Sequence, residues 1–252
     1  MKISVITVCR NSEETIEHTI CSVLAQQGVD IEFILVDGGS TDNTLQIIQK
    51  YKDRISHFIS EKDDGMYDAL NKGIALAGGE VIALLHSDDF YTSSGVLLAV
   101  EKAFLSPGTD AVYGDLQYVG RLDPDKVFRN WIAGPYREGL FLQGWMPPHP
   151  AFFVRRRCYQ QYGVFNTTFR TSADYELMLR FIHKHKIGLK YIPQVLVKMR
   201  VGGKSNVSFA NRLRANREDR RAWKINGLRP DFFTLSRKPL SKFKQFFSRS
   251  AY

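Results

Sequence analysis

Residues 31–48 read IEFILVDGGSTDNTLQII. Ile31 to Val36 is an unbroken apolar run rich in β-formers, the pattern of a strand covered on both faces. It stops at Asp37-Gly38-Gly39-Ser40, after which Thr41 or Asp42 caps a helix carrying Leu45, Ile47, Ile48 and Tyr51 at helical spacing. The same unit stands before it: Ile3 to Val8 predicts a strand, and Glu13 to Gln27, after a cap at Asn11 or Ser12, places Ile16, Ile20, Val23 and Leu24 on one helical face. It continues after it with strands at His57 to Ser60, Val81 to Leu85 and Ala111 to Tyr113, separated by helices at Tyr67 to Ala77 and Val96 to Phe104. Parallel neighbours need a crossover, so this alternation predicts an α/β fold with a mostly parallel central sheet and helices on both faces.

The chain has 252 residues, 44% hydrophobic and 24% charged, an ordinary globular balance that excludes wholesale disorder. No stretch approaches the roughly 20 apolar residues of a spanning helix. The start passes from a short apolar run into Cys9-Arg10-Asn11 without a small-residue cleavage site, so export is not expected. Cys9, Cys21 and Cys158 are an odd number at wide spacings, which suits a reducing cytoplasm rather than a disulfide framework or zinc cluster. The net charge of +9 is concentrated: residues 204–252 hold 13 Lys and Arg against 3 Asp and Glu, leaving residues 1–203 at −1. Such a tail concentrates a protein on a polyanion, either nucleic acid or an acidic membrane surface.

In parallel sheets ligands bind beyond the carboxyl ends of the strands, and here polar residues gather at those ends. Asn11 follows the first strand, Asp37 ends the second, Asp63-Asp64 follow the third and Asp88-Asp89 the fourth. Each alone reads as a cap or turn residue; four at one edge read as a site. Asp88-Asp89 offer hard oxygen ligands suited to Mg²⁺ or Mn²⁺. The aspartates lack the D-x-D-x-T spacing of a dehalogenase-type phosphatase, and neither G-x-G-x-x-G nor G-x-x-x-x-G-K-[ST] occurs.

Five elements together resemble the family 2 glycosyltransferases: ITVCRN at 6–11, VDGGSTDNT at 36–44, SEKDDGMYDALNKG at 60–73, HSDD at 86–89 and SADYEL at 172–177. The resemblance is nearest to the branch that builds lipopolysaccharide, capsule and colanic-acid-type polysaccharides, and implies the Rossmann-like A-type nucleotide-sugar fold. It implies that Thr7 and Asn11 border the nucleoside pocket, that Asp37 bonds the base, and that Asp64, Asp68, Asn71 and Lys72 line the donor site. Asp88 and Asp89 fall at the family's metal-binding D-x-D element, whose first acidic position is His86 here. Leu70 stands where many members carry Arg. The donor implied is a nucleotide sugar, UDP by default, with GDP or dTDP also compatible with Asp37.

The second half supplies a base. Inversion at an anomeric carbon needs one carboxylate able to take the acceptor hydroxyl's proton. Asp174 stands near the start of a helix with Leu177 and Phe181 on its packed face; on residues alone it is a first-turn Asp favoured by the helix dipole, and with the resemblance it is the base. Glu176, two residues on, points away by ~200°. His149, in Pro147-Pro148-His149-Pro150, touches acceptor or diphosphate, or merely sits in a rigid turn. Arg200 clamps the donor phosphates from the loop 200–205, or belongs to a solvated basic loop. Trp131, Tyr136, Phe141 and Trp145 are either a platform for a saccharide or polyprenyl-linked acceptor or core.

The expected organisation is a catalytic domain at 1–206, divided into a nucleotide-sugar half at 1–115 and an acceptor half at 116–206, followed by a basic amphipathic tail at 207–252. In that tail Arg212, Arg214, Arg217, Arg220 and Arg221 run beside Trp223, and Phe243, Phe246 and Phe247 share one helical face among lysines. Basic residues beside exposed aromatics suit an anionic bilayer, placing the enzyme on the cytoplasmic face of the membrane. Two other readings stand beside this one: a nucleic-acid-binding protein, which explains only the tail, and a sugar-nucleotide binder without catalysis.

Overall fold

The computed structural model describes residues 1–202, 209–231 and 234, with side chains at 1–202, 214–231 and 234. Phe243, Phe246, Phe247, Arg212 and the loop residues 203–205 lie outside the described side chains. The strand-helix alternation takes the form β1 (Lys2–Cys9), α1 (Ile16–Leu24), β2 (Asp30–Asp37), α2 (Thr44–Gln49), β3 (His57–Ser60), α3 (Met66–Leu76), β4 (Val81–Leu84), β5 (Asp89–Tyr91) and α4 (Val96–Phe104). The second half adds β6 (Ala111–Val119), β7 (Val127–Trp131), β8 (Phe152–Arg155), α5 (Arg156–Tyr162), α6 (Ala173–Met178), β9 (Leu189–Arg200) and α7 (Phe209–Ile225). α6 runs on into a wider-wound turn, Leu179–Lys184.

The nine strands of the described residues form one sheet in the order β3-β2-β1-β4-β8-β6-β9-β5, with β7 pairing β6. The first four are parallel, as their apolar runs require, and pair with Cys9 opposite Asp37 and Asp37 opposite Ser60. That register brings the polar residues after β1, β2 and β3 to one edge. The second half departs from the expected parallel pattern: β8 runs antiparallel to β4 and β6, β7 antiparallel to β6, and β5 antiparallel to β9. The sheet is therefore mixed, and β6, expected only as far as Tyr113, runs unbroken through the 115/116 boundary between the two expected halves. They are one sheet.

Side-chain alternation along β1 and β2 divides the core. Ile6, Val8, Ile34 and Val36 face α3, α5, α6 and α7, while Ile3, Val5, Phe33 and Leu35 face α1, α2 and α4. Helices thus cover both faces, as expected. Gly73 lets α3 lie close on β1, because a Cβ there would stand 2.4 Å from Ile6 Cγ2. Cys9 and Cys158 are buried and Cys21, on α1, is exposed.

α7 is not a free tail. Ala222 and Trp223 are completely buried, and the indole N–H donates to the Tyr175 hydroxyl on α6 at 2.8 Å. Trp223 therefore leaves the set of exposed aromatics that the sequence suggested. No described helix is long and apolar enough to cross a membrane.

Candidate functional site

The edge where β1, β2 and β3 end is tied together by short polar bonds. Asn11, in the left-handed region at φ 50°, accepts from the Thr41 amide at 2.8 Å, and its own amide donates to Ser40 Oγ at 2.8 Å. Asp37 is completely buried. Its carboxylate accepts from the amides of Gly39 (3.1 Å) and Ser40 (3.0 Å), from Ser60 Oγ (2.8 Å), from the Ser40 hydroxyl and from the Cys9 thiol (3.6 Å). Five donors fill the lone pairs of one carboxylate. Asp37 is thus engaged in shaping the loop, where the resemblance implied a contact to the base. Thr7 is also fully buried, so it underlies the site rather than bordering it.

α3 carries the expected donor-site residues, and the structure separates them. Asn71 bonds both ways with the backbone of Phe165, Nδ2 to O at 2.9 Å and N to Oδ1 at 3.0 Å, so it clamps the 163–170 loop instead of lining the donor site. Lys72 stays at the edge, held by Glu61 at 2.6 Å and Asp68 at 3.4 Å. Asp68 also accepts from the Asp64 amide at 3.2 Å, and Asp64 is exposed. Asp63, which the sequence left without a role, lies over Gly38: a Cβ at 38 would stand 2.2 Å from its Oδ2.

Beyond β4 the chain places Asp88 part-exposed and Asp89 fully buried. Among the described residues neither Asp89 carboxylate oxygen has a hydrogen-bond partner, and burial, reinforced by the neighbouring Asp88 charge, pushes this carboxyl well above the usual range. A buried carboxylate without a partner is costly unless a cation reaches it. The pair therefore fits a divalent metal. Among the described residues no three acidic, His or Cys side chains converge as a ready cage, so such an ion would draw its other ligands from donor oxygens and water. His86 meets His149 with Nε2 to Nε2 at 3.0 Å, and burial pushes both imidazoles down to about 4, leaving a neutral pair that shares one proton. His149 thus reaches the site, through His86.

Arg200 is 5% exposed and fully engaged: Nε donates to Arg121 O (3.2 Å), one terminal nitrogen to Asp88 O (3.2 Å) and the other bonds His18 Nδ1, while the guanidinium stacks on Phe90 at 4.7 Å. It is a strut that fixes the Asp88 turn against α1 and the β6–β7 hairpin, not the open phosphate clamp expected of it. Its partner His18, on α1, gave no signal in the sequence.

Asp174 stands in the first turn of α6, part-exposed, with the Tyr67 hydroxyl donating to Oδ1 at 3.3 Å. Glu176 is 2% exposed and bonded to Arg180 (3.0 Å) and Asn226 (3.0 Å). Tyr118 feels the charges of both Asp89 and Asp174, and the Arg129 guanidinium lies 4.2 Å from its ring and 5.6 Å from that of Trp131. Phe141 is fully buried core; Trp131, Tyr136 and Trp145 are part-buried at the side of the same half. One carboxylate in reach of a hydroxyl, another pair able to hold a cation, and a loop-built strand edge suit transfer from a charged donor.

A sequence profile described as "Glycosyl transferase family 2" matches residues 4–170. The chain belongs to that family. A PGL/p-HBAD biosynthesis glycosyltransferase of Mycobacterium bovis is 29% identical over 217 residues, 81% of this chain and 78% of that protein. The fold matches Staphylococcus aureus TarS 1-349 in complex with UDP at TM-score 0.68 and 18% identity, over 99% of this chain and 73% of that one. It also matches a mannosyltransferase of Pyrobaculum calidifontis in complex with GDP-Man and Mn2+ at TM-score 0.65 and 18% identity, over 94% and 68%. The family 2 protein described here is thus a transferase with the nucleotide-sugar-binding A-type fold.

Proposed function

We propose that this glycosyltransferase moves a sugar, with inversion, from a nucleotide-sugar donor to a hydroxyl of a polyprenyl-linked saccharide in cell-surface polysaccharide synthesis. The observation that carries the reading is Asp174: part-exposed, oriented by Tyr67 and, among the described residues, without an ion pair of the kind that engages Glu176. Asp174 takes the proton of the acceptor hydroxyl as that oxygen attacks the anomeric carbon from the face opposite the leaving nucleotide. An α-linked donor then gives a β-linked product. Asp88 and Asp89 would hold Mg²⁺ or Mn²⁺, which supplies positive charge to the departing diphosphate. Lys72, free to exchange its carboxylate partners for phosphate, adds a second cation at the edge, and Asp64, Asp68 and Asn11 lie along the same edge. UDP is the default nucleotide, with GDP or dTDP as the other candidates; the UDP and GDP-Man complexes of the structural neighbours support a nucleoside diphosphate, and the Mn2+ complex supports the metal.

The membrane reading rests on α7. Arg214, Arg217, Arg220 and Lys224 fall on its exposed side, while Arg221 bonds Thr168 and the acidic residues Glu218 and Asp219 turn toward the body. A face of four cations suits an anionic bilayer at the cytoplasmic surface.

The test is turnover against donor binding. Asp174→Asn should lower kcat by 10²- to 10⁴-fold, the usual worth of a general base, and leave the nucleotide-induced thermal shift intact. Asp88→Ala with Asp89→Ala should remove the Mn²⁺ dependence of that shift. An Asp174→Asn enzyme turning over near the normal rate would discard the assigned base.

A further inference from the structure

α6 is only six residues long and its N-cap residue, Ser172, makes no side-chain capping bond of its own. The amides at the start of any helix have no partner within it and must find one elsewhere. The amides that lead into α6, of the N-cap Ser172 and of Arg170 and Thr171 before it, are bound from 46 to 48 residues downstream. Glu218 of α7 accepts from the Arg170 amide at 3.1 Å, the Thr171 amide at 2.8 Å, the Thr171 hydroxyl at 2.8 Å and the Ser172 amide at 3.0 Å. Its carboxylate also meets the positive end of the helix dipole. Burial acts to raise the Glu218 carboxyl, and the amides of Arg170, Thr171 and Ser172 outweigh it and hold it below the usual carboxylate range.

The same two helices are fastened further along. Trp223 donates to the Tyr175 hydroxyl at 2.8 Å, Asn226 Nδ2 to Glu176 Oε1 at 3.0 Å, and Ser172 Oγ to Ala215 O at 3.4 Å. Asp174 lies between these attachments, two residues past the amides that Glu218 binds. Its only contact on the α3 side among the described hydrogen bonds is the 3.3 Å bond from Tyr67. The direction in which Asp174 presents its carboxylate is therefore set by α7 on one side and α3 on the other.

We propose that Glu218 is a positioning residue for transfer: by binding the three amides before α6 it fixes Asp174 in register with the donor edge, which makes the C-terminal helix part of the reaction machinery. The proposal rests on the reading of Asp174 as the base. A displacement of about 1 Å at a reacting group costs on the order of 100-fold in rate, so the effect should fall on kcat.

Three variants of the full-length chain separate reach from charge, each assayed for kcat, donor KM, UDP affinity and thermal midpoint. Glu218→Ala should lower kcat by 10- to 100-fold with donor KM and UDP affinity within twofold. Glu218→Gln keeps the reach and one acceptor oxygen, and should restore most of the lost kcat. Glu218→Asp keeps the charge but retracts it by one methylene, and should resemble Glu218→Ala. Kcat within twofold of the parent in a folded Glu218→Ala protein overturns the proposal, as does a parallel fall of kcat and UDP affinity in all three. Rescue by Asp and not by Gln overturns it too. If Glu218→Ala does not fold, the Gln and Asp pair decides by the same order. Normal turnover in Asp174→Asn would instead bring down the base assignment, an outcome that the Glu218 variants cannot produce.

Discussion

Replacing Trp223 by alanine tests whether α7 is docked as described. The indole is completely buried, stands edge-on to His183 at 5.2 Å between ring centroids, and donates to Tyr175. Truncating a fully buried Trp to Ala costs about 3–5 kcal/mol, through lost transfer free energy and the cavity left behind. In a chain of this size each kcal/mol moves the thermal midpoint by roughly 2–4 °C, so Trp223→Ala should melt on the order of 10 °C below the parent. Trp223→Phe retains most of the volume and loses the N–H donor, so its fall should be a few degrees. Circular dichroism at pH 7.5 reads both. A Trp223→Ala midpoint within 2 °C of the parent would mean that the indole is not packed in solution and that α7 is the exposed tail its sequence suggests. The same docking determines how membrane attachment should be probed: deleting 207–252 removes Glu218, Trp223 and Asn226 from α6, so loss of activity in that truncation would not report on the bilayer.

Replacing Arg214, Arg217, Arg220 and Lys224 by Gln leaves the inward face of α7 untouched and should cut co-sedimentation with phosphatidylglycerol vesicles at low salt; unchanged sedimentation would reject the membrane role of this face. His149 and His86 supply a pH dependence. Their folded-state pKa values, about 4, lie below the ~6.5 of an unfolded histidine. Their contribution to stability is therefore fully present above pH 6.5 and is lost as pH falls toward 4. By that linkage one such ring removes at most about 2 kcal/mol at pH 5 relative to pH 7.5. Urea midpoints, measured with chelator present, should fall across that window in the parent and less steeply in His149→Gln; equal slopes would contradict a neutral buried pair.

Continuous apolar runs located β1 and β2 closely and the 3.6-residue period located α4, because long apolar runs and an unbroken amphipathic helix leave few alternatives. β5 has three residues and β7 mixes charge with aromatics, so neither offers enough period to detect. At the site, the alternation brought Asn11, Asp37 and Asp88 to one edge, where β1, β2 and β4 run parallel. It could not tell whether a side chain at that edge is open to a ligand or already saturated, since this depends on neighbours distant in sequence. Asp37 is filled by Cys9 and Ser60, Asn71 by Phe165, Arg200 by His18 and Arg121. Trp223 failed for the same reason. A Trp among arginines looks interfacial until the partner surface on α6 is known. Motif resemblance supplied what periodicity lacked for Asp174, and nothing in either marked Glu218.

The three thiols differ in a way that has practical use. Cys9 is buried and donates to Asp37, and burial pushes its thiol up; Cys158 is raised to about 11 by burial as well. Reaction with maleimides or iodoacetamides requires accessible thiolate, which neither offers in the native protein. Cys21 alone is exposed, on α1, across the sheet from α3, α6 and α7. The unaltered sequence therefore carries a built-in conjugation point, at which a fluorophore or surface tether can be attached one per molecule while both helices that orient Asp174 stay unmodified.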